Sequence, residues 1–526
     1  MGKVIGIDLG TSNSCCAVYE GGAEAKVILN NEGRNTTPSV VAFVDYHGLP
    51  FTKNGDPLVG APAKRQAITN AKNTVSSIKR IMGLMINEEK TKEVIDKVGY
   101  KIVPNNGACA VEIDEEVKSP QEVSAEILKK IKRDAEVFLD EEVAEAVVTV
   151  PAYFNNAQRK ATRVACEIAG LKVLRILNEP TAAALAYGTA KKDKAETILV
   201  FDLGGGTLDI TILEIDNGYF EVLSTHGDAF LGGDDFDNII INHLNKNFKS
   251  LNGIDLSRDV MAWERLKNSA QEAKEELSFV KRCKIDIPFI TANATGPCHL
   301  SEVLSKNEFE SMTKHLVDKA IGHIKQALDT AGLKIDDIDE VLMVGGSSRI
   351  PSVNIAVENF FNGKKLQKGF NTDEIVAKGA AILGATLSTS NSHQSEKVVL
   401  VDITPLSLGI ALIGDEMSIL IPKGTSLPTS IKRVYTNGKD NEKKLSLHIY
   451  QGESGTASKN KFLGKFILNI PEMKAGEARI EVEFNLDVNG ILDVKAIETT
   501  TNSVSKMMIL DSSDLSYREI NKLKSK

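Results

Sequence analysis

The chain contains few aromatic residues and few cysteines, and each shortage excludes a class of function. Aromatic residues make up 5% of the 526 residues, with Trp263 the single tryptophan, so a stacking platform for nucleic acid is not expected. No CxxC motif occurs among the six cysteines, which are Cys15, Cys16, Cys109, Cys166, Cys283 and Cys298. We therefore expect no zinc site and no disulfide framework, but small buried thiols in a reducing compartment.

Long apolar runs and an excess of positive charge are also absent. No apolar run approaches the ~20 residues that a membrane-spanning helix needs, and no signal-peptide pattern precedes the first strand-like segment. The net charge is −8, from 63 basic and 71 acidic residues, which disfavours nucleic acid and anionic membranes as partners. We expect a cytoplasmic protein without a nucleic-acid or membrane partner. A mitochondrion or a mitochondrion-derived organelle, reached without a recognisable presequence, is the alternative location.

The length predicts two to four domains, and the texture of the sequence divides the chain. Residues 1–387 alternate strand-like and helix-like segments, which is typical of an α/β domain. A strand at 146–151 is followed by a helix that Asn155 or Asn156 caps and that stops at Gly170. A second strand at 173–177 then leads into a helix with Pro180 in its first turn.

After residue 387 the pattern changes to β structure. Residues 388–402 form a polar stretch that ends in the apolar segment VVLVD and read as an interdomain linker. Residues 403–508 form an all-β domain. Alternation places Ile480, Val482, Phe484, Leu486 and Val488 on one face of a strand, and Asn489–Gly490 suits a hairpin turn. Residues 430–451 read as a further hairpin.

The last residues, 509–526, begin a helix in which Ser516 and Glu519 have capping-box spacing. So short a helix is marginal alone, and we expect it to be the start of a longer helical region that is lost or cut away.

Two segments repeat one pattern. Both VIGIDLGTSNSCCAVYE (4–20) and ILVFDLGGGTLDITILE (198–214) run a strand into Asp-Leu-Gly, a short polar loop and a second strand. Glycines let backbone N–H groups approach an anion, and Asp8 and Asp202 can hold Mg²⁺ through waters. Two such loops face to face would hold a polyphosphate between two half-domains. The plain alternative is that each loop is only a tight turn.

Two further Gly-Gly turns occur at 230–237 and 341–351, and no P-loop motif is present. Together with NTTPSVVAF, VTVPAYFNNAQRKAT, ILNEPTAAALAYG, LGGDDFDN, VLMVGGSSRIP and VDITPLSLGI, the repeated loops resemble the 70-kDa heat-shock chaperone family. PFITANATGP and LSLHIYQGE resemble its DnaK-like bacterial and mitochondrial type. The resemblance implies an α/β actin-like ATPase domain of two pseudo-repeated lobes, followed by an all-β sandwich that binds peptides.

The resemblance also implies roles for individual residues. It places the catalytic group at Lys64, Glu179, Asp202, Thr207, Asp8 and Asp209, with Asp8 and Asp202 at the metal. It places the nucleotide at Gly10, Thr11, Ser12, Asn13, Gly204, Gly205, Gly206, Gly232, Gly233, Asp234, Gln271, Lys274, Ser278, Gly345, Gly346, Ser347, Arg349 and Asp373. The peptide groove would be lined by Ile410, Ile413, Tyr435, Leu445 and Leu447, although ordinary sandwich core is the alternative reading of these five. Pro151, Arg159, Val399 and Leu400 would couple the domains.

The resemblance also implies a function for the chain. An ATP-dependent chaperone would bind extended hydrophobic segments of unfolded proteins, with ATP, ADP and Mg²⁺ as cofactors and K⁺ as a further candidate. A J-domain co-chaperone and a nucleotide exchange factor of the GrpE type would be its partners. The resemblance implies that the lost helical region is a lid that slows peptide release in the ADP state, so without it peptide exchange would be fast in both nucleotide states.

Several residues depart from the family pattern: Gln271 for Glu, Ser12 for Thr, Glu275 near adenine, Asn156 for Asp, Gly438 for Ala and Leu445 for Val. They leave open a degenerate member that binds nucleotide or peptide without cycling. A small-molecule kinase and a filament protein of the same fold are further alternatives.

Overall fold

The structure is a computed structural model that describes residues 3–21, 24–43, 56–95, 97–190, 195–294, 296–388, 398–499, 503–507, 515 and 517–524. Within these residues no helix is long and apolar enough to cross a membrane.

The first lobe is built on a mixed sheet. Its elements are β1 (Val4–Asp8), β2 (Asn13–Val18), β3 (Lys26–Val27), β4 (Thr36–Pro38), β5 (Val40–Ala42), β6 (Leu58–Val59), α1 (Ala61–Gln66), β7 (Thr74–Ser76), α2 (Glu89–Ile95), β8 (Lys101–Asn105), β9 (Ala108–Ile113), β10 (Glu116–Lys118), α3 (Pro120–Leu139), β11 (Glu145–Val150), α4 (Asn156–Ile168), β12 (Lys172–Asn178) and α5 (Glu179–Ala190). The main sheet has the order β12-β11-β1-β2-β3, with β4 paired to β2.

The second lobe repeats this plan. Its elements are β13 (Glu196–Leu203), β14 (Leu208–Asp216), β15 (Tyr219–Asp228), α6 (Gly233–Asn252), α7 (Val260–Leu277), β16 (Arg282–Asn293), β17 (Gly296–Ser305), α8 (Lys306–Ala331), β18 (Glu340–Val344), α9 (Pro351–Phe360) and α10 (Ile375–Leu387). In each lobe a central strand is antiparallel to the next strand and parallel to a later one, β1 with β2 and β11, and β13 with β14 and β18. The repeated sequence pattern therefore corresponds to repeated topology.

The remaining elements are β19 (Val399–Val401), β20 (Leu408–Ala411), β21 (Met417–Ile421), β22 (Thr429–Tyr435), β23 (Lys444–Gln451), β24 (Lys461–Asn469), β25 (Ile480–Leu486), β26 (Leu492–Glu498), β27 (Ser503–Met507) and α11 (Tyr517–Lys524). Two four-stranded sheets, β21-β20-β23-β24 and β22-β25-β26-β27, enclose one apolar core. β19 instead joins the second-lobe sheet beside β15.

Several local predictions are confirmed. α4 begins after Asn155, whose side chain accepts from the Gln158 amide in a capping box. β25 and β26 form the predicted hairpin across Asn489–Gly490, with Gly490 at φ +70° as a tight turn requires. All six cysteines are buried free thiols, and burial raises the pKa of Cys16 well above its ordinary value, a direction that keeps the thiol protonated.

Two predictions of the β region are wrong. Residues 430–451 do not form a hairpin, because β22 pairs with β25 while β23 pairs with β20 and β24. Alternation fits either sheet, so it could not reveal that the two strands separate. Val488 lies beyond β25 and is 42% exposed, since the chain has already entered the turn.

Ser516, the predicted helix cap, lies outside the described residues.

Candidate active site between the two lobes

The two repeated loops face each other across a cleft. A Cβ placed on Gly205 would lie 2.0 Å from Ser12 Oγ, and one on Gly206 would lie 2.8 Å from Thr11 Oγ1. A Cβ this close to another heavy atom would force Ser12 or Thr11 to shift, so glycine is favoured at both positions. The backbones of the β1–β2 and β13–β14 loops thus approach from opposite lobes, with amides available to an anion between them.

The cleft has a volume of about 440 Å³. The expected site residues that line it are Asp8, Gly10, Thr11, Ser12, Asn13, Glu179, Asp202, Gly204, Gly205, Thr207, Gly233, Asp234, Gln271, Lys274, Ser278, Gly345, Gly346, Ser347, Arg349 and Asp373. The structure therefore brings together residues that are far apart in the chain. Gly206 and Gly232 lie in and beneath the second loop, since a Cβ on Gly232 would lie 2.4 Å from the Gly206 nitrogen.

Acidic side chains gather at the floor of this cleft. Burial and the nearby Glu179 raise the pKa of Asp8 to about 7, and burial raises the pKa of Asp202 well above its ordinary value. Burial and the nearby Glu179 also raise the pKa of Asp209 to about 7. Its Oδ1 accepts from the Tyr153 amide at 3.1 Å, while the buried Oδ2 has no hydrogen-bond partner among the described residues. Carboxylates crowded in this way favour a bound cation.

Lys79 is the basic group at this floor. Its Nζ donates to Glu179 Oε1 and to the carbonyl oxygen of Leu9, both at 2.7 Å, and its side chain is only 7% exposed. It lies on a 3₁₀ turn, Ile78–Ile81, directly after β7. Lys79 thus places a fixed positive charge beside the acidic cluster, where it can contact a phosphate group or its attacking water.

Lys64, the expected catalytic lysine, lies elsewhere. It sits on α1 at an adjoining cavity of about 160 Å³, and its exposed Nζ donates to Gln271 Oε1 at 3.1 Å across the mouth of the cleft. Of the two lysines, the structure places Lys79 beside the acidic cluster and Lys64 at the mouth of the cleft, and the sequence analysis did not single out Lys79. The available signal was the pair Lys79–Arg80 inside an otherwise apolar run, since adjacent buried cations are found only where partners hold them.

Arg80 supplies a bridge between the lobes. Its guanidinium contacts Asp235 at 2.8 Å and Asp234 at 3.3 Å, both at the start of α6. Burial opposes ionisation, but the two carboxylates more than compensate and raise the pKa of Arg80. The first-lobe turn that carries Lys79 is therefore tied to the second lobe.

The other end of the cleft is suited to a nucleoside. Lys274 Nζ contacts Asp237 Oδ2 at 2.9 Å and the Gly233 carbonyl at 3.2 Å. Arg349 pairs with Asp373 at 2.8 Å, and its side chain is 52% exposed, so that its planar face is open to a base.

The residues present fit a magnesium-bound nucleoside polyphosphate. The glycine loops leave backbone amides for phosphates, the unpaired Asp209 Oδ2 and the strand-end carboxylates suit Mg²⁺ and its waters, and Lys79 offsets phosphate charge. Mg²⁺ coordinates oxygen and retains several waters, which matches carboxylates set back from the cleft centre.

The sandwich docks against the first lobe at the expected coupling residues. Buried Arg159 donates through Nη2 to Asn178 Oδ1 at 2.7 Å and through Nη1 to the Asn489 carbonyl at 3.4 Å. Pro151 lies between β11 and α4, and its carbonyl accepts from the Phe154 amide at 3.1 Å.

The linker forms the second part of this docking. β19 runs parallel to β15, with Val399 opposite Tyr219 and Leu400 opposite Phe220. Val399 is 49% exposed, while Leu400 packs against the core shared by the lobes. The described apolar end of this segment, β19, is thus an edge strand of the second-lobe sheet.

The expected peptide residues are split by the structure. Ile410 and Leu447 are buried in the sandwich core, and Tyr435 and Leu445 pack against it. Ile413 is 83% exposed. In this conformation Ile410 is fully buried and cannot contact a peptide, which fits the core reading.

One comparison with known proteins bears on these findings. The family model described as Hsp70 protein matches residues 4–526, which is almost the whole chain. Members of this family are ATP-binding chaperones that hydrolyse ATP. The paired loops, the cleft and the appended β sandwich agree with that match, and the chain belongs to the Hsp70 protein family.

Proposed function

We propose that this chain is an ATP-driven chaperone of the DnaK-like type, in which Mg·ATP in the interlobe cleft controls a peptide groove in the sandwich. The observation that carries the proposal is the continuous path from the cleft to the sandwich. Glu179, at the cleft, follows Asn178 directly in the chain, and Asn178 contacts Asp402 and Arg159 at the docked interface.

Hydrolysis needs positioning and charge neutralisation more than covalent chemistry by the protein. Bound Mg²⁺ would neutralise phosphate charge. Lys79 would orient the γ-phosphate and attacking water, Glu179 would hold Lys79 in place, and Thr207 would donate its hydroxyl to the phosphate. Asp8, Asp202 and Asp209 would hold the waters of the metal.

Nucleotide would act on the sandwich by changing the stability of docking. ATP would favour the docked arrangement, in which β19 pairs with β15 and the sandwich contacts Arg159. Hydrolysis would release β19 and allow the groove around Ile413, Tyr435 and Leu445 to close on an extended apolar segment. Such a segment would be bound by main-chain hydrogen bonds and side-chain pockets. A J-domain protein and a GrpE-type exchange factor would accelerate the two nucleotide steps.

Single-turnover hydrolysis by Lys79→Ala and Lys64→Ala tests the catalytic part. Removing a preorganised charge beside the reacting phosphate typically costs about 10²–10³ in rate. Lys79→Ala should therefore lose at least 100-fold, whereas Lys64→Ala should stay within about fivefold of the parent. The same rate for both variants and the parent would favour a degenerate member that binds nucleotide without cycling.

Peptide affinity measured with ATP and with ADP tests the chaperone part. A fluorescent extended apolar peptide should dissociate faster with ATP than with ADP. Leu400→Asp should remove this difference, because a charged side chain would destabilise β19 where Leu400 packs against the lobes. Val399→Asp, at a half-exposed site on the same strand, is the control and should have the smaller effect. Equal peptide release in both nucleotide states of the parent chain would contradict the proposed cycle.

A further inference from the structure

A cluster of basic and titratable groups lies where the sandwich meets the second lobe, away from the nucleotide cleft. Lys423, in the β21–β22 connection, places its Nζ 2.8 Å from Nε2 of His226 on β15. The hydroxyl of Thr330, at the end of α8, is also 2.8 Å from this nitrogen. One imidazole nitrogen therefore holds together a strand and a helix of the second lobe and a loop of the sandwich.

The partners determine the protonation state of His226. An ammonium group can only donate, so Nε2 must be unprotonated and accept from Lys423. A protonated ring would place a cation 2.8 Å from the ammonium and would leave Lys423 without its acceptor. Partial burial, followed by the charges of Lys423 and His323, lowers the pKa of His226 to about 4.

The surroundings offer little compensation for a second positive charge. On α8, His323 and Lys319 face the same space, and burial lowers the pKa of His323 as well. Gln326, also on α8, opposes the shift at both histidines. On β15 the facing carboxylate is Asp228, which already pairs with Lys319.

Lys423 itself is held in place from the sandwich side. Its backbone amide donates to Ser407 Oγ at 2.9 Å, and the Ser407 amide donates to Glu453 at 2.7 Å. Burial lowers the pKa of Lys423, and the carboxylate of Glu453 opposes this shift by favouring the charged form. The backbone that carries Lys423 is therefore fixed within the sandwich, so the Lys423–His226 contact joins the sandwich to the second lobe.

We propose that the His226–Lys423 contact makes docking of the sandwich sensitive to pH, so that protonation of His226 releases the docked arrangement. The proposal goes beyond the nucleotide cycle, because the contact would respond to protons whether or not ATP is hydrolysed.

The docked and undocked states differ in how tightly His226 binds a proton. In the docked state His226 resists protonation down to about pH 4, and in an undocked, hydrated state it titrates near the ordinary value of about 6.5. Between these values the undocked state binds more protons, so docking weakens as pH falls. From pH 7.5 to 5.5 the docking equilibrium should fall by about five- to tenfold, since each pKa unit of separation is worth about a factor of ten.

Hydrogen exchange of the β19 amides measures docking directly, because the Val399 amide donates to the Gly218 carbonyl at 2.9 Å only when the linker is paired. The full chain with saturating Mg·ATP would be compared at pH 7.5, 6.5 and 5.5, after correction for intrinsic exchange rates. We expect the protection of β19 to fall about five- to tenfold in the parent chain while circular dichroism stays unchanged.

Three variants isolate the contact. His226→Gln keeps an oxygen acceptor for Lys423 but cannot titrate, so its β19 protection should be independent of pH. Lys423→Gln should dock less well at pH 7.5 and lose part of the pH dependence, while burial of His226 in the docked state keeps the rest. His315→Gln, at an exposed position on α8, is the matched control and should follow the parent.

A parent chain without pH dependence, or a His226→Gln variant that keeps the parent slope, would overturn the proposal. Should His226→Gln fail to fold, a histidine NMR titration of the parent chain decides, with a His226 pKa near 6.5 counting against it.

Discussion

Asn178 Nδ2 donates to Asp402 Oδ2 at 2.8 Å, which joins the end of β12 to the end of the linker. Asn178 precedes Glu179 at the cleft, and Asp402 follows β19. A single hydrogen bond thus connects the strand that supports the acidic cluster with the segment that docks the sandwich. Arg159 donates to Oδ1 of the same Asn178 side chain, so α4, the end of β12 and Asp402 meet at one amide group.

Replacement of Asp402 by Ala should uncouple the domains. The variant would leave the Asn178 amide and the Ile403 amide without their acceptor, and a lost hydrogen bond to a charged group costs about 1.5–3 kcal/mol. The docked population should fall by at least tenfold, so peptide stimulation of ATP turnover should be largely lost. Steady-state turnover with and without an apolar peptide measures this. Asp493→Ala, at an exposed position of β26, is the control, and equal stimulation in both variants would count against the coupling path.

Asp8 should destabilise the nucleotide-free protein at alkaline pH. Its pKa, raised to about 7 by burial and by Glu179, lies above that of an unfolded aspartate. The folded state therefore binds the proton more tightly, and stability contributed by this group grows as pH falls from about 7 towards 4. Asp8→Asn should be more stable than the parent at pH 8 by about 1–3 kcal/mol, and the difference should shrink at pH 5.

Thermal unfolding in EDTA at both pH values tests this prediction for Asp8. Asp216→Asn, at the exposed end of β14, is the control and should leave stability unchanged. Added Mg·ATP should stabilise the parent more than Asp8→Asn, because the variant lacks one of the carboxylates proposed to hold the metal. A variant that is less stable than the parent at pH 8 would show that the cleft carboxylates do not repel each other.

At the mouth of the cleft, the hydrogen bond between Lys64 and Gln271 can be converted into an ion pair by substitution of Gln271. Lys64 donates to Gln271, and Gln271 Nε2 donates to Glu275 at 2.8 Å. Gln271→Glu alone would strengthen the first contact and place two carboxylates four residues apart on α7, which disfavours it. The double variant Gln271→Glu/Glu275→Gln avoids that repulsion. It should slow ADP release by about two- to fivefold, in keeping with the ~0–1 kcal/mol of an exposed ion pair.

Stopped-flow release of fluorescent ADP measures this effect. Adding Lys64→Ala to the double variant is the control, since it removes the partner and should abolish the gain. If ADP release is equally slow with and without Lys64, the contact does not hold the cleft closed.

How much the sequence revealed depends on how local each feature is. The helix at Asn155 and the hairpin at Asn489–Gly490 could be predicted, because caps and turns depend on neighbouring residues. The facing loops could be predicted in kind, because two matched glycine loops that each follow an apolar strand favour a shared anion site over two unrelated tight turns.

The features that were missed are defined by contacts across the fold. Lys79 lies beside Arg80 in a largely apolar run, but only the position of β7 beside the acidic cluster shows that Lys79, and not Lys64, reaches the floor of the cleft. The partners of β22 and β23 depend on which sheet each strand joins, which alternation does not specify. Asn178 and Asp402 are more than two hundred residues apart in the sequence, and no periodic pattern of residues indicates that they form a hydrogen bond.

Gly438 should control how firmly Ile413 lies over the sandwich. A Cβ on Gly438 would meet Ile413 Cδ1 at 2.3 Å, but that atom is the end of a flexible, 83% exposed side chain. Gly438→Ala should therefore be accepted with little change in stability, and the added methyl would press against Ile413 once that side chain moves. If Ile413 covers a bound peptide as proposed, the firmer contact should slow peptide release by about two- to threefold, since one buried methyl group is worth about 0.8 kcal/mol. Fluorescence anisotropy with ADP present measures the release rate. The double variant Gly438→Ala/Ile413→Ala removes the partner and should release peptide at least as fast as the parent, whereas slow release without Ile413 would show that the two residues do not act together.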